Sequence, residues 1–327
     1  MVQVSLKQIE SVTFQALRAH GADDFPATEV ARAVAAAEAV GNKICGLYYL
    51  ESYCLQLRSG RVNGRVNPVV NQPKTAIVNV DAQFGFAQPA FTKGLPSALA
   101  AAREAGVAAL AVCHAHTCTA LGYFTRQIAL DGCVGIGFTN ASPIVAAPGG
   151  RVRAIGTNPI AFSVPDGHGG VAMQFDQSTT TVALGKITMA KAAGEAIPAG
   201  WALDADGRPT TDPEAALKGS LVSTGGYKGW GFGLMAEVLS AGLTGSLLSK
   251  DIQPLKAPEG APHDLGQYYL LIDPANAQGF FDRLRSLSDF VAQDPGARLP
   301  GQNTVSEDPI TLDDGLWRNI QALSAAR

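Results

Sequence analysis

The segment that most limits what this chain can become is Gly135-Ile136-Gly137-Phe138-Thr139-Asn140. A glycine pair at this spacing after an apolar run is how a dinucleotide-binding βαβ unit opens, with a helix N-terminus set against the pyrophosphate. Here the third glycine is missing, and the chain runs on through Ser142-Pro143 to Pro148-Gly149-Gly150. Proline lacks an amide hydrogen and clashes with the preceding turn, so no helix crosses that stretch. A Rossmann arrangement is therefore unsupported. The phosphate-loop and nucleophile-elbow patterns are absent as well.

Elsewhere the periodicity is clear. The first ~70 residues read as helical. Ser5 and Gln8 have capping-box spacing ahead of the stripe Leu6, Ile9, Val12 and Leu17. Thr28 is the expected cap of an alanine-rich helix that Gly41 should stop, and Leu47, Leu50, Cys54 and Leu57 mark a third helix ending at Gly60. Residues 61–73 have the composition of a linker. Beyond it, strands are expected over 75–81, 107–113, 134–140, 160–165, 170–176 and 267–273. Helices are expected over 96–106, 123–132 and 277–292, and near 180–193 and 231–243. The end, from about Asp294, reads as loop-rich. The class is mixed α/β or α+β.

With 46% hydrophobic and 16% charged residues and a net charge of −3, the chain is an ordinary globular protein without a basic footprint for nucleic acid or a membrane surface. No apolar run approaches the ~18 residues of a membrane span, and the start lacks a signal-peptide pattern. Five cysteines without a CxxC pair fit free thiols, so a cytoplasmic protein is expected.

The densest polar cluster is Cys113-His114-Ala115-His116-Thr117-Cys118. Four soft donors in six residues invite a zinc reading. Against it, adjacent residues on a strand point to opposite faces, and no second Cys or His pair exists, since His20, His168 and His263 stand alone. No metal is expected. His116 is either polar lining for a ligand or a hydrogen-bonded structural histidine. Thr157 and Asn158, ahead of Pro159, suit a carboxylate or a plain loop. Asp176, Gln177 and Ser178 follow a strand, where ribose or phosphate contacts or a helix cap would fit. The glycines of 225–233 serve close packing; a phosphate role for Lys228 is the sharper alternative.

Several segments acquire a further meaning together: VDAQFGFAQPA, IGTNPIAFSVP, FDQSTTTVALGKI, PAGWALDADGRPTTDP, GGYKGWGFGLMAEVL and RLPGQ, in that order. The chain resembles the malate/L-lactate dehydrogenase-like oxidoreductase family, which is unrelated to the Rossmann lactate dehydrogenases. FAQPA and FDQS lean toward the branch reducing Δ1-pyrroline-2-carboxylate and Δ1-piperideine-2-carboxylate to L-proline and L-pipecolate. The resemblance implies a non-Rossmann fold in three parts: a helical domain over 9–70, a central dimerisation and substrate domain from 1–8, 71–115 and 300–327, and an NAD(P)H domain over 116–299. It implies a cytoplasmic homodimer using NADPH, with NADH possible, on a small cyclic imino acid. Its cofactor contacts fall on His116, Thr117, Cys118, Thr119 and Ala120, on Asp176, Gln177 and Ser178, on Lys228 and Gly229, and on Arg298, Pro300, Gly301, Gln302, Asn303 and Thr304. Thr157 and Asn158 fall at the substrate.

Where the family reads Ser-His-Gly-x-x-Arg, this chain reads Ile44-Cys45-Gly46-Leu47-Tyr48-Tyr49. Cys45 replaces the histidine that protonates the product, and Tyr49 replaces the arginine that grips the carboxylate. Lys186 stands where the imine-reducing branch has an acidic residue, and could supply the missing positive charge. Reducing a ketone needs a proton on oxygen, for which a positioned acid contributes about 10²–10⁴-fold. A cyclic imine nitrogen can arrive protonated, so it depends less on that acid. The expectation is a cyclic 2-imino acid reductase; the alternatives are a 2-oxo/2-hydroxy acid dehydrogenase of the same fold and a non-catalytic nucleotide-binding descendant.

Overall fold

The computed structural model describes residues 1–325. Strand β1 (Val2–Val4) leads into α1 (Leu6–Ala19), whose start is the expected capping box. Gln8 N–H donates to Ser5 Oγ at 3.3 Å and Ser5 N–H donates to Gln8 Oε1 at 2.9 Å. Helix α2 (Asp24–Ala39) starts earlier than expected: Asp23 is its N-terminal flank, and Thr28 lies inside, its hydroxyl donating to the Asp24 carbonyl at 2.8 Å. Two short 3₁₀ turns, Lys43–Cys45 and Leu47–Tyr49, run into α3 (Leu50–Ser59), which left-handed Gly60 ends.

The presumed linker is partly structured. Its last residues form β2 (Val69–Lys74), which pairs antiparallel with β3 (Ile77–Asp81). All six β2 residues are exposed, so this edge strand has no buried face to mark it in the sequence. Then come α4 (Ala87–Ala105), β4 (Val107–Ala115), α5 (Gly122–Leu130) and β5 (Val134–Thr139). Two short strands, β6 (Val145–Ala146) and β7 (Arg153–Ile155), precede β8 (Ile160–Pro165) and β9 (Val171–Gln177). A smaller lobe follows, with α6 (Leu184–Ala193), β10 (Ala202–Leu203), β11 (Pro209–Thr210), α7 (Pro213–Lys218) and β12 (Ser220–Leu221). Helix α8 (Tyr227–Glu237) continues as a π turn over Val238–Gly242 and is followed by β13 (Leu265–Ile272) and α9 (Phe280–Val291). The tail expected to be loop-rich contains β14 (Ile310–Leu312) and α10 (Asp314–Ala325). Three residues carry no periodic signal, and β14 is defined only by its pairing with β1, over 300 residues away in sequence.

The main sheet has the order β2-β3-β4-β13-β5-β8-β9. Only β3 and β4 run parallel; every other neighbour pair is antiparallel. This mixed α/β sheet is not doubly wound, as the broken glycine motif required. Helices α4 and α5 cover one face, where Phe91 packs edge-on against Phe124 and Tyr269, both at 5.0 Å. The division expected at 115/116 falls inside this sheet, because β4 is hydrogen-bonded to β13. The two ends of the chain meet on the helical unit. Val4, Ile310, Leu312 and Ile320 share a core with Ile9, Leu17, Val30 and Tyr53 of the helical unit. A five-stranded sheet, β11-β10-β12-β6-β7, has its own core around Ile155, Ile187 and Leu221. No helix among the described residues is long and apolar enough to cross a membrane.

Phe91 is fully buried at the centre of the main sheet's aromatic cluster. Phe91→Ala should cost about 3–5 kcal/mol of stability. Equilibrium urea unfolding would measure it; a loss under about 1 kcal/mol would mean that the cluster does not anchor the sheet.

Candidate active site

The segment from Cys45 to Tyr49 is held against α2 by a buried carboxylate. Glu38 Oε1 accepts the Leu47 N–H at 2.7 Å, and Gly46 passes so close that a Cβ would lie 2.2 Å from the same oxygen. Any larger residue at 46 must displace Glu38. Burial pushes the Glu38 pKa up, against the lowering effect of the Leu47 N–H. Tyr49 is buried, its hydroxyl donating to the Leu255 carbonyl at 3.2 Å and its ring 4.9 Å from Tyr53. Tyr53 in turn reaches Thr119 Oγ1 at 3.4 Å. The helical unit and the loop after β4 therefore meet at these rings.

His116 is the centre of that junction. Gln56 donates its amide hydrogens to the carbonyls of Leu255 and Ala257 at 2.7 and 2.9 Å, so its oxygen is the acceptor for His116 Nε2 at 2.6 Å. This fixes the His116 tautomer, with the hydrogen on Nε2. Its Nδ1 has no partner among the described residues. The ring stacks flat on His263 at 4.0 Å, and His263 Nδ1 accepts the Thr117 N–H at 3.3 Å. Burial holds both imidazoles neutral: His116 is driven well below its ordinary value, and His263 down to about 3. Of the two readings of His116, the packing favours the structural one. Thr117 and Cys118 are buried with it, whereas Thr119, left-handed at φ 60°, and Ala120 are half-exposed.

Asp176 has an exposed side chain, yet surrounding protein starves its charge of solvent and raises its pKa. That combination marks the wall of a cleft. One carboxylate oxygen accepts the Gly122 N–H at 2.7 Å, so Asp176 serves the start of α5 before any ligand. Half-exposed Cys45 lies in the same electrostatic environment: burial first, then the Asp176 charge, pushes its thiol up to about 11. Cys45 therefore keeps its proton at neutral pH. Lys256 opposes this shift, with Nζ 3.9 Å from the Tyr48 ring centre and 5.3 Å from that of Tyr49. Lys256 was not among the expected residues, and it sits in a loop with no motif to announce it. Lys186 is exposed in the first turn of α6, beside Gly185, whose built Cβ would lie 3.6 Å from Ile44.

The remaining expected residues divide. Asn158 is fully buried at φ 35°, its amide donating to the Gly233 carbonyl at 3.0 Å and to Glu237 at 2.7 Å. It fastens α8 to the β7–β8 turn and is not free to hold a substrate. Thr157 is half-buried, its carbonyl taken by both donors of Thr179 at 2.9 Å. Gly229 is a packing glycine, since a Cβ there would lie 2.0 Å from the Thr224 oxygen. Lys228 is exposed in the first turn of α8, just after Gly225 and Gly226, whose φ values are 60° and 63°. Gln177 is exposed, and the Ser178 hydroxyl bonds Thr180 at 3.0 Å. The turn over 298–304 lies along β9: Gln174 N–H donates to the Pro300 carbonyl at 2.9 Å, and Gly301 fits tightly against Gln174. Gln302 is consumed within the turn, accepting from Leu299 N–H at 3.0 Å and donating to Ser288 at 2.7 Å. Arg298, Asn303 and Thr304 are exposed. A helix N-terminus opened by two glycines without side-chain crowding, with Lys228 beside it, fits an anionic dinucleotide.

Comparison with known proteins identifies the family and the fold. The sequence profile of the malate/L-lactate dehydrogenase family matches residues 4–321. A (2R)-3-sulfolactate dehydrogenase (NADP(+)) of Chromohalobacter salexigens is 39% identical, over 91% of this chain and 89% of its own. A Δ1-pyrroline-2-carboxylate reductase of Ancylobacter novellus is 35% identical, over 98% of this chain and 97% of its own. The crystal structure of Δ1-piperideine-2-carboxylate reductase from Pseudomonas syringae superposes with a TM-score of 0.89 at 32% identity, covering 99% of this chain and all of that one.

The neutral histidine pair has a consequence for stability. Unfolding restores ordinary imidazoles near pH 6.5, so between that value and about 3 the unfolded chain binds more protons than the folded one. The stabilisation is complete above pH 6.5 and is lost as pH falls. Urea midpoints at about pH 7 and about pH 5 should show the lower value in acid, with a smaller difference in His263→Asn. A higher midpoint in acid would contradict the neutral pair.

Proposed function

The chain belongs to the malate/L-lactate dehydrogenase family and is an oxidoreductase; from that premise we propose that it reduces a cyclic 2-imino acid, Δ1-pyrroline-2-carboxylate or Δ1-piperideine-2-carboxylate, to L-proline or L-pipecolate. The observation that carries this reading is the state of Cys45. The family's histidine is absent, and the thiol in its place holds its proton too tightly, at about 11, to serve as a ready acid. A ketone oxygen would lack a matched donor there. A protonated cyclic imine brings its own.

Bound NAD(P)H supplies the hydride. NADPH is the proposed partner, with NADH possible, and Lys228, Arg298, Thr119, Ala120, Gln177 and Ser178 are the residues proposed to hold it. Lys256 and Lys186 are proposed to attract the substrate carboxylate in place of the family's arginine. The hydroxyl of Tyr49 is already bonded to Leu255, so Tyr49 shapes the pocket wall. Cys45 closes the site on the helical side and excludes water from the reacting carbon. Thr157 is proposed to touch the substrate from the β7–β8 turn. The enzyme is proposed to act as a homodimer, for which Phe232, Val238 and Leu243 offer exposed apolar surface.

A second reading has its own support. The sulfolactate dehydrogenase relative, at 39% identity, favours an open-chain 2-oxo acid. Following NADPH and NADH oxidation with both cyclic imines, pyruvate and oxaloacetate separates the two. Turnover of the cyclic imines is expected; brisk turnover of an open-chain acid alone would reverse the conclusion, and cofactor binding without any turnover would make the chain a non-catalytic descendant. Cys45→Ser should lower kcat less than about tenfold, whereas a loss above about a hundredfold would make the thiol the proton donor. Lys256→Met should raise KM at least about tenfold with kcat little changed, and Lys186→Ala serves as the parallel test of the other cation.

A further inference from the structure

One of the two arguments against a metal at Cys113-His114 is that neighbours on a strand point to opposite faces. The backbone removes it. His114 is left-handed at φ 49°, a conformation that costs a non-glycine residue about 1 kcal/mol or more. This break in the strand lets His114 turn to the same side as Cys113. Asp81, paired with Cys113 in the parallel register of β3 and β4, joins them. His114 Nδ1 lies 3.0 Å from Asp81 Oδ1, and one donor atom from each of Asp81, Cys113 and His114 lies within 4.8 Å of the other two. All three side chains are half-buried, sheltered yet reachable from solvent.

The next strand adds a fourth candidate. Asp264 immediately precedes β13, whose Leu265 pairs with Ala115 of β4. Its Oδ1 is buried without a hydrogen-bond partner among the described residues. Ser246 accepts the His114 N–H at 3.2 Å. Three adjacent strands thus bring sulfur, nitrogen and oxygen donors to one end of the sheet.

We propose that Asp81, Cys113 and His114 bind one divalent cation of the zinc class, with Asp264 or a solvent molecule as fourth ligand. A tetrahedral zinc ion with bonds of about 2.0–2.3 Å places its ligand atoms about 3.3–3.8 Å apart. The His114–Asp81 pair, hydrogen-bonded at 3.0 Å, opens slightly to admit the ion, and Cys113, within 4.8 Å of both, closes on it. A thiolate, imidazole and carboxylate set selects zinc or cobalt over magnesium or calcium. The ion would tie the ends of β3, β4 and β13 together beneath the loop that carries His116, as a structural fastening separate from the reduction. Among the described residues His116 and His263 each keep one unpartnered nitrogen, but both rings are buried and stacked on each other, and neither groups with Asp81, Cys113 and His114.

The test is titration of the metal-stripped full-length protein with Zn²⁺ and Co²⁺ against a chromophoric chelator. One equivalent per chain is expected, with a thiolate-to-cobalt absorption band and a thermal midpoint that rises with Zn²⁺. Cys113→Ser should abolish the band and weaken zinc at least about tenfold. His114→Asn keeps a residue that accepts the left-handed backbone and should weaken zinc similarly. Cys45→Ser, which removes the other half-exposed thiol, should keep the band. Binding well below one equivalent, binding unchanged in Cys113→Ser and His114→Asn, or a band lost in Cys45→Ser instead would overturn the proposal. Should Cys113→Ser lose its native circular dichroism, His114→Asn and Asp81→Asn decide the matter.

Discussion

The geometry of the cleft rests on Gln56. This fully buried amide on α3 donates both hydrogens to the 255–257 loop and accepts from His116, so one side chain joins three distant segments. A buried polar group left unpaired costs about 1–3 kcal/mol, so the three partners cannot separate cheaply. Its helix is entered through Cys45 and Tyr49, the loop it grips carries Lys256, and the histidine it orients begins the turn to Thr119. The positions of Cys45, Lys256 and Thr119 are therefore set together.

That linkage changes how the missing histidine and arginine should be weighed. In a solvent-filled pocket, a cysteine and a tyrosine would be poor but adjustable substitutes. Here burial and the neighbouring Asp176 charge push the thiol pKa up, and Tyr49 spends its hydroxyl on a backbone carbonyl. On the proposed reading, neither side chain does the chemistry that the resemblance assigns to its position. On the proposed reading the positive charge comes from the neighbouring loop, where Lys256 lies over the two tyrosine rings. A cation over an aromatic face is attracted by about 0.5–2 kcal/mol, enough to bias a flexible lysine toward the site without locking it there.

Much of this architecture was legible in the chain, and its failures have local causes. Long periodic segments such as α1, with its capping box, and the buried strands β4 and β13 announce themselves because one face is continuously apolar. The strand β2 does not, because both its faces meet solvent, and β14 does not, because its only evidence is a partner at the other end of the chain. Asn158 looked available beside Pro159, but sequence cannot reveal that Glu237 and Gly233 claim its amide. The alternation rule at Cys113-His114 failed for a subtler reason: a single left-handed residue, neither glycine nor asparagine, breaks the pleat. Lys256 was invisible, since a lone lysine in a proline-rich loop carries no spacing that distinguishes it from any surface charge.

What gives that lysine a defined place is another buried ion. Arg61, 1% exposed, donates to the carbonyls of Pro254, Ala257 and Ala261, at 3.0, 2.6 and 2.9 Å. Carbonyl oxygens satisfy the guanidinium without neutralising it, so its positive charge persists, and it adds to the burial that holds His263 unprotonated. Burying a cation is expensive, and it is tolerated only where several dipoles converge on it. The same convergence curls the 254–261 loop around Arg61 and turns Lys256 outward over the tyrosines. In this chain the tyrosine rings that shape the pocket and the charge proposed to attract the substrate are in direct contact, so a change in either alters both binding and the fit of the 254–261 loop.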